Sequence, residues 1–185
     1  MTSVLVVYMT RGGHTARIAR CLCEGVEAAG GQATALDVRD AEKTGIDWAR
    51  HDVVVVGAPV LYGNYDKSVM RFIERHKDAL AARPNAFFNV SVVARTPEKA
   101  TVAGNRYMQK FLELSPWKPQ ELKVIAGKVD YPSWPWWDRI MIRLIMKMTH
   151  GPTDPKAVID YTDWDDVRAW GRHLPELARV TAPTA

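Results

Sequence analysis

The sequence predicts an α/β fold, a doubly wound five-stranded parallel sheet of strand order 2-1-3-4-5. Three observations carry that prediction. Short runs made almost wholly of apolar residues recur along the chain. Amphipathic patterns of helical period separate them. The first run opens straight into a loop of glycines and hydroxyls and then a helix start. Strands without a wet face, joined by helices, mean a parallel sheet covered on both sides. Right-handed crossovers leave few strand orders, and the ligand of such a sheet lies beyond the carboxyl ends of the strands at the switch point.

In chain order, Val4–Tyr8 reads as the first buried strand. Ile18, Ala19, Leu22, Val26 and Ala29 then share one helix face, stopped by Gly30 and Gly31. A weak strand covers 33–38, and "VVVVG" at 53–57 is the central strand. Val69, Phe72, Ile73, His76 and Leu80 mark the next helix, and "AFFNVSVV" at 86–93 is the fourth strand. Residues 105–114 read as a helix with Tyr107, Phe111 and Leu114 on one face, and "ELKVIAG" at 121–127 is the fifth strand. A last helix is expected from Thr162, with Thr162 and Asp165 placed as a capping box and Pro175 ending or kinking it. The whole chain, 1–185, is expected to form one domain, with residues 128–156 an insertion that a five-stranded sheet does not require.

Apolar residues make up 47% of the chain and charged ones 25%, as in an ordinary globular protein. A formal charge of +4 points mildly to an anionic partner. The basic residues are scattered and no nucleic-acid motif accompanies them, so no nucleic-acid partner is expected. Cys21 and Cys23 sit two apart on a helix and face different ways, which suits neither a disulfide nor a metal site. No metal is expected. The N-terminus shows no basic region with a cleavage site, and no apolar run is long enough to span a bilayer.

The loop Thr10, Arg11, Gly12, Gly13, His14, Thr15 lies between the first strand and the first helix. Unpaired N–H groups at a helix start, glycines that permit close approach and two threonine hydroxyls suit a phosphate. The spacing matches neither the P-loop nor Gly-x-Gly-x-x-Gly. In the insertion, "YPSWPWWDRIMIRLIMKMTHG" at 131–151 concentrates aromatic, basic and apolar residues. Arg139, Arg143 and Lys147 recur every four residues as a basic stripe, and Trp134, Trp136 and Trp137 precede it. That composition suits a membrane interface or a packed helix face.

Strand followed by Thr-x-x-Gly-x-Thr resembles the phosphate loop of flavodoxins, which holds the monophosphate of FMN. Over nearly its full length the chain resembles the flavodoxin-like, menaquinone-dependent protoporphyrinogen oxidase family, the bacterial protoporphyrinogen IX dehydrogenases (quinone). The segments that carry this are "TRGGHT", "YGNYDKSVMRFIERH", "NVSVVARTPEK", "VIAGKVDYPSWPWWDRIMIRLIMKMTHGPTD" and "YTDWDDV". The resemblance implies FMN as cofactor and oxidation of protoporphyrinogen IX to protoporphyrin IX in haem biosynthesis. Six electrons leave in three two-electron steps, with a membrane quinone, menaquinone or ubiquinone, as acceptor. It implies that Thr10–Thr15 hold the phosphate. Pro59, Leu61, Tyr62 and Gly63, with Val93, Ala94 and Arg95, would flank the flavin ring. The usual Gly-x-Gly-Asp of the second ring loop is absent, and Arg95 stands where an aromatic is common. Arg95, Lys99 and Arg139 are the candidate anchors for the substrate propionates, and no catalytic base is identified. The resemblance also implies a cytoplasmic protein held peripherally on the anionic inner-membrane surface. It leaves a homo-oligomer open, and leaves an electron carrier or an NAD(P)H:quinone reductase as the alternatives.

Overall fold

The structure, a computed structural model, describes residues 1–133, 135–148, 151 and 153–180. Its centre is a parallel sheet of β1 (Ser3–Tyr8), β2 (Gln32–Asp37), β3 (Val53–Leu61), β5 (Asn85–Ser91) and β6 (Glu121–Ala126), in the order β2-β1-β3-β5-β6. The two-residue β4 (Asn64–Tyr65) folds back antiparallel on the end of β3. Counted among themselves, the five parallel strands therefore follow the 2-1-3-4-5 order. The register aligns Tyr8 with Gly57 and Pro59 with Val90, so the loops after β1, β3 and β5 emerge side by side at one edge.

Side chains of a strand alternate between faces, and along the central strands β1, β3 and β5 both faces are largely dry. Leu5, Val7, Val54, Val56, Phe87 and Val124 point to one core, shared with α2 (Val38–Thr44), α3 (Lys67–Ala81) and α4 (Arg106–Leu114). Val4, Val6, Val53, Val55, Phe88 and Ile125 point to the other, shared with α1 (His14–Ala28) and α6 (Trp164–Val180). Two glycines set the α1–α6 distance. A Cβ on Gly25 would lie 2.5 Å from the Arg168 carbonyl oxygen, and one on Gly171 2.5 Å from that of Leu22.

Several elements depart from expectation. Helix α2 has no counterpart in the sequence reading; Asp37 starts it by accepting from the Arg39 N–H. At α6 the cap is Asp163, whose carboxylate accepts from the Asp166 N–H at 3.0 Å, while Thr162 bonds elsewhere. Pro175 neither ends nor replaces a turn of α6, which runs to Val180. Burial of Leu174 on one side of the proline and partial burial of Leu177 on the other keep the chain on the core. Leu114 is exposed; Met108 and Phe111 make the buried face of α4 instead.

The extra segment leaves and rejoins the sheet at one place. β7 (Lys128–Asp130) pairs antiparallel with β8 (Val158–Asp160), and the Tyr161 N–H donates to the Gly127 carbonyl at 3.2 Å. Between them lies α5 (Trp136–Met148), anchored by Met146 on the buried Val129 and Tyr131. No helix among the described residues is long and apolar enough to cross a membrane.

Candidate functional site

The loop after β1 is built as an open anion cradle. Gly13, at φ 82°, is the N-cap of α1 and has no side chain to fill that role. By contrast α2, α3 and α4 are capped by Asp37, Asp66 and Asn105. The first bond closing the α1 ladder runs from the Arg17 N–H to the Gly13 carbonyl, so the first-turn N–H groups before it face outward. No acidic residue sits in that turn. A Cβ on Gly12 or Gly13 would meet nothing within 4 Å, so space is open in front of the loop. Thr10 Oγ1 accepts from the Gly13 N–H at 3.0 Å, which fixes the loop and leaves its own proton to donate. Thr15 is 3% exposed, and its hydroxyl has no hydrogen-bond partner among the described residues. Arg39, paired with Asp37 at 2.8 Å, donates to the Thr10 carbonyl at 3.2 Å and braces the loop from the first turn of α2. An uncapped helix start with a spare, nearly buried hydroxyl fits a phosphate monoester.

His14 is placed differently from its neighbours. Its Nε2 lies 2.8 Å from Thr162 Oγ1, and that hydroxyl donates to the Ala126 carbonyl at 2.8 Å. The Thr162 proton is thus committed, and His14 Nε2 carries the hydrogen of their bond. Nδ1 is buried without a partner. Burial lowers the His14 pKa; Asp160, 3.8 Å away, pulls the other way. What His14 offers the cradle is its backbone N–H. Its side chain ties the loop to the point where the insertion rejoins the sheet.

The two flanking loops stand where the strand order puts them. β3 turns at Tyr62 and Gly63, with φ 49° and 78°, and returns as β4. Two successive residues at positive φ make the tight turn that suits a right-twisted hairpin. Tyr62 occupies the first of these places, 39% exposed, with Leu61 half-buried beneath and Pro59 at the strand end. After β5 the chain makes a 3₁₀ turn over Val92–Arg95, with Ala94 buried and Val93 half-buried. A buried polar web fastens the two loops together. Tyr65 donates to the Tyr107 carbonyl, and Asn89 reaches both the Tyr65 hydroxyl at 3.1 Å and Asn105 Oδ1 at 3.2 Å. Asn105 in turn donates to the Lys99 carbonyl. Nothing in the sequence reading pointed to Asn89 or Asn105; apolar periodicity is blind to a polar residue inside a strand.

The three candidate substrate anchors are not gathered at one point. The Arg95 Nη1 donates to the Val92 carbonyl at 3.1 Å, and its Nη2 lies 3.0 Å from where a Cβ of Gly151 would be, so it touches the insertion. Lys99 is exposed in the following 3₁₀ turn, and Arg139 donates to the Pro132 carbonyl from α5. Arg143 likewise donates to the Thr153 carbonyl, and Lys147 is exposed. Trp136, Trp137, Ile140, Met141 and Leu144 are all more than half exposed along one side of α5. Trp134 lies outside the described residues.

An uncapped phosphate cradle between β1 and α1, flanked by two fastened loops at the switch of a doubly wound sheet, defines a nucleotide-binding module of the flavodoxin class. The flavodoxin domain family matches residues 5–156. Among solved structures, the flavodoxin, WrbA-like protein from Agrobacterium tumefaciens superposes with TM-score 0.55 at 16% identity, covering 98% of this chain and all of that one. The flavodiiron protein from Giardia intestinalis superposes with TM-score 0.53 over 97% of this chain and 37% of its own, also at 16% identity. Among sequences, the protoporphyrinogen IX dehydrogenase [quinone] of Escherichia coli K12 is 40% identical over 94% of both chains. That of Leishmania major is 34% identical over 97% of this chain and 77% of its own. The chain belongs to the flavodoxin domain family, in the group of the protoporphyrinogen IX dehydrogenases [quinone].

Proposed function

We propose that the chain oxidises protoporphyrinogen IX to protoporphyrin IX and passes the electrons to a membrane quinone, with FMN as its cofactor. The observation that carries this reading is a single continuity: the Arg95 turn beside the ring slot touches the insertion, and the insertion presents an exposed apolar helix face. Thr10, the backbone of Arg11 to His14 and Thr15 hold the phosphate. Pro59, Leu61, Tyr62, Gly63, Val93, Ala94 and Arg95 flank the ring. Bound FMN supplies the two-electron chemistry; the chain supplies placement and charge. Arg95, with Lys99 and Arg139, meets the propionates of a substrate otherwise apolar. Six electrons and six protons leave the macrocycle over three rounds, and three quinones become three quinols.

In the same reading α5 rests on the anionic cytoplasmic face of the inner membrane. Its tryptophans sit at headgroup level, and the Arg139, Arg143 and Lys147 stripe borders the apolar face. Anaerobic reduction of the FMN-loaded protein by protoporphyrinogen IX, followed spectroscopically, tests the activity. Bleaching of the flavin band by the porphyrinogen supports it. Bleaching by NAD(P)H alone, or by neither, replaces it with a reductase or a carrier.

A further inference from the structure

A cavity of about 390 Å³ opens beside the Val92–Arg95 turn, along β6. Its walls are Ala94 and Arg95 from that turn, Val102 beyond it, Lys123 on β6, and Tyr161 and Asp166 at the approach to α6. β6 is the last strand of the sheet, bonded to β5 alone, so the groove runs along an edge with unpaired backbone groups. Strands lie about 4.8 Å apart. The order β3-β5-β6 therefore places the groove roughly 10 Å from a ring held between the β3 and β5 loops.

We infer that this groove is the seat of the quinone head group, separate from the place where the porphyrinogen meets the flavin. This rests on the function proposed above. Charge decides the class of ligand. Arg95 and Lys123 face Asp163 and Asp166, and Lys123 is already paired with Asp166 at 2.8 Å. Two cations balanced by two carboxylates leave the groove without net charge, which suits a neutral guest. Size agrees: the volume is in the range of small-molecule sites, suits one or two fused rings and is tight for a tetrapyrrole. Chemistry agrees too. A quinone is flat, apolar on its faces and an acceptor at both carbonyls. The groove offers apolar walls at Ala94, Val102 and Val124 and donors at Arg95, Lys123 and the strand edge. Tyr161 forms part of the wall and also packs on the α5 cluster of Val129, Tyr131 and Met146. A prenyl tail leaving the groove past Tyr161 therefore meets the insertion. Each quinone bound there takes two electrons from the reduced cofactor and two protons, one to each carbonyl oxygen, and leaves as the quinol.

Ala100 lines the groove and is exposed, so filling it costs the core nothing. The test uses the FMN-loaded full chain carrying Ala100→Trp, with Ala100→Leu as a milder step. The reduced protein is mixed with menadione in a stopped-flow instrument. We expect reoxidation to slow at least tenfold in Ala100→Trp and less in Ala100→Leu, while reduction by protoporphyrinogen stays within twofold of native. Unchanged reoxidation, or an equal fall in both half-reactions, overturns the separate site. Calorimetric titration of menadione into the oxidised protein keeps the two readings apart. Binding that Ala100→Trp abolishes supports the groove even if porphyrinogen fails to reduce the flavin; binding that survives the tryptophan overturns it.

Discussion

Thr15 and His14 are consecutive, yet one turns toward the cradle and the other away from it. Thr15 keeps a spare hydroxyl at an uncapped helix start. A hydrogen bond to a charged group contributes about 1.5–3 kcal/mol, so Thr15→Val is expected to weaken FMN binding by roughly ten- to a hundredfold. A fluorescence titration of the cofactor-free protein reads this. His14 is held neutral by burial, with its Nδ1 enclosed and unpartnered. Because its folded pKa lies below the ordinary imidazole value of about 6.5, the stability it contributes is complete above that value. It is lost as the pH falls through the lower, folded one. The native protein should therefore lose more melting temperature between pH 7 and pH 5 than His14→Gln, in which that site cannot charge. His51 and His76, also lowered by burial, remain in both proteins and cancel. The Thr-x-x-Gly-x-Thr spacing made the cradle legible in the sequence. The turning away of His14 was not, because its partner Thr162 is 148 residues distant.

At the level of elements, apolar runs revealed the central strands β1, β3 and β5 because a strand buried on both faces can hold little else, while the edge strand β2, with Gln32 and Thr34 exposed, showed only as a weak one. The same signal missed α2, whose seven residues bury only Val38 and Ala41. It also missed β7 and β8, three residues each, too short for any period to show. The α1–α6 contact was equally hidden, since glycine in a helix reads as a weakness until its neighbour is known. Here Gly25 and Gly171 let two backbones touch. Gly171→Ala improves helix propensity yet drives a methyl to within 2.5 Å of the Leu22 carbonyl oxygen. Overpacking of that kind costs about 1–3 kcal/mol, so the variant should melt several degrees lower than native in a thermal scan. An unchanged or higher melting point would mean that the helices separate freely.

For the molecule as a whole, the distribution of exposed apolar surface matters more than its amount. Five large side chains stand together on α5 while the rest of the core is sealed in two layers. Leu144 is more than half exposed, so Leu144→Glu should leave the fold and FMN binding intact. It adds a like charge facing an anionic surface and removes apolar burial of about 25 cal/mol per Å². Co-sedimentation with anionic vesicles should fall by at least tenfold, and high salt should weaken the native protein's binding in the same direction. Failure of the native protein to pellet at low salt would move the α5 face to a second copy of the chain, which a sedimentation measurement of mass would reveal. Aromatic and basic composition announced this segment in the sequence. Which way Arg139 and Arg143 turn, back onto the Pro132 and Thr153 carbonyls, depends on a chain path that composition does not encode.

The pairing of Lys128 with Asp160 makes the whole segment between them a detachable cassette. Its two ends are already neighbours in a ladder, so a two-residue turn can bridge them without moving β6 or α6. A protein with residues 129–159 replaced by Asn-Gly should therefore fold as a minimal five-stranded module, keep Asp160 and Thr162 beside His14, and still bind FMN. Joined this way, it loses the exposed apolar face of α5 and the Val129, Tyr131 and Met146 cluster on which Tyr161, a wall of the groove, packs. Flavin fluorescence and quinone-dependent turnover, measured on the same preparation, should then part company: cofactor retained, electron delivery gone. Such a shortened chain would keep the cofactor and lose the outlet for its electrons, by one excision.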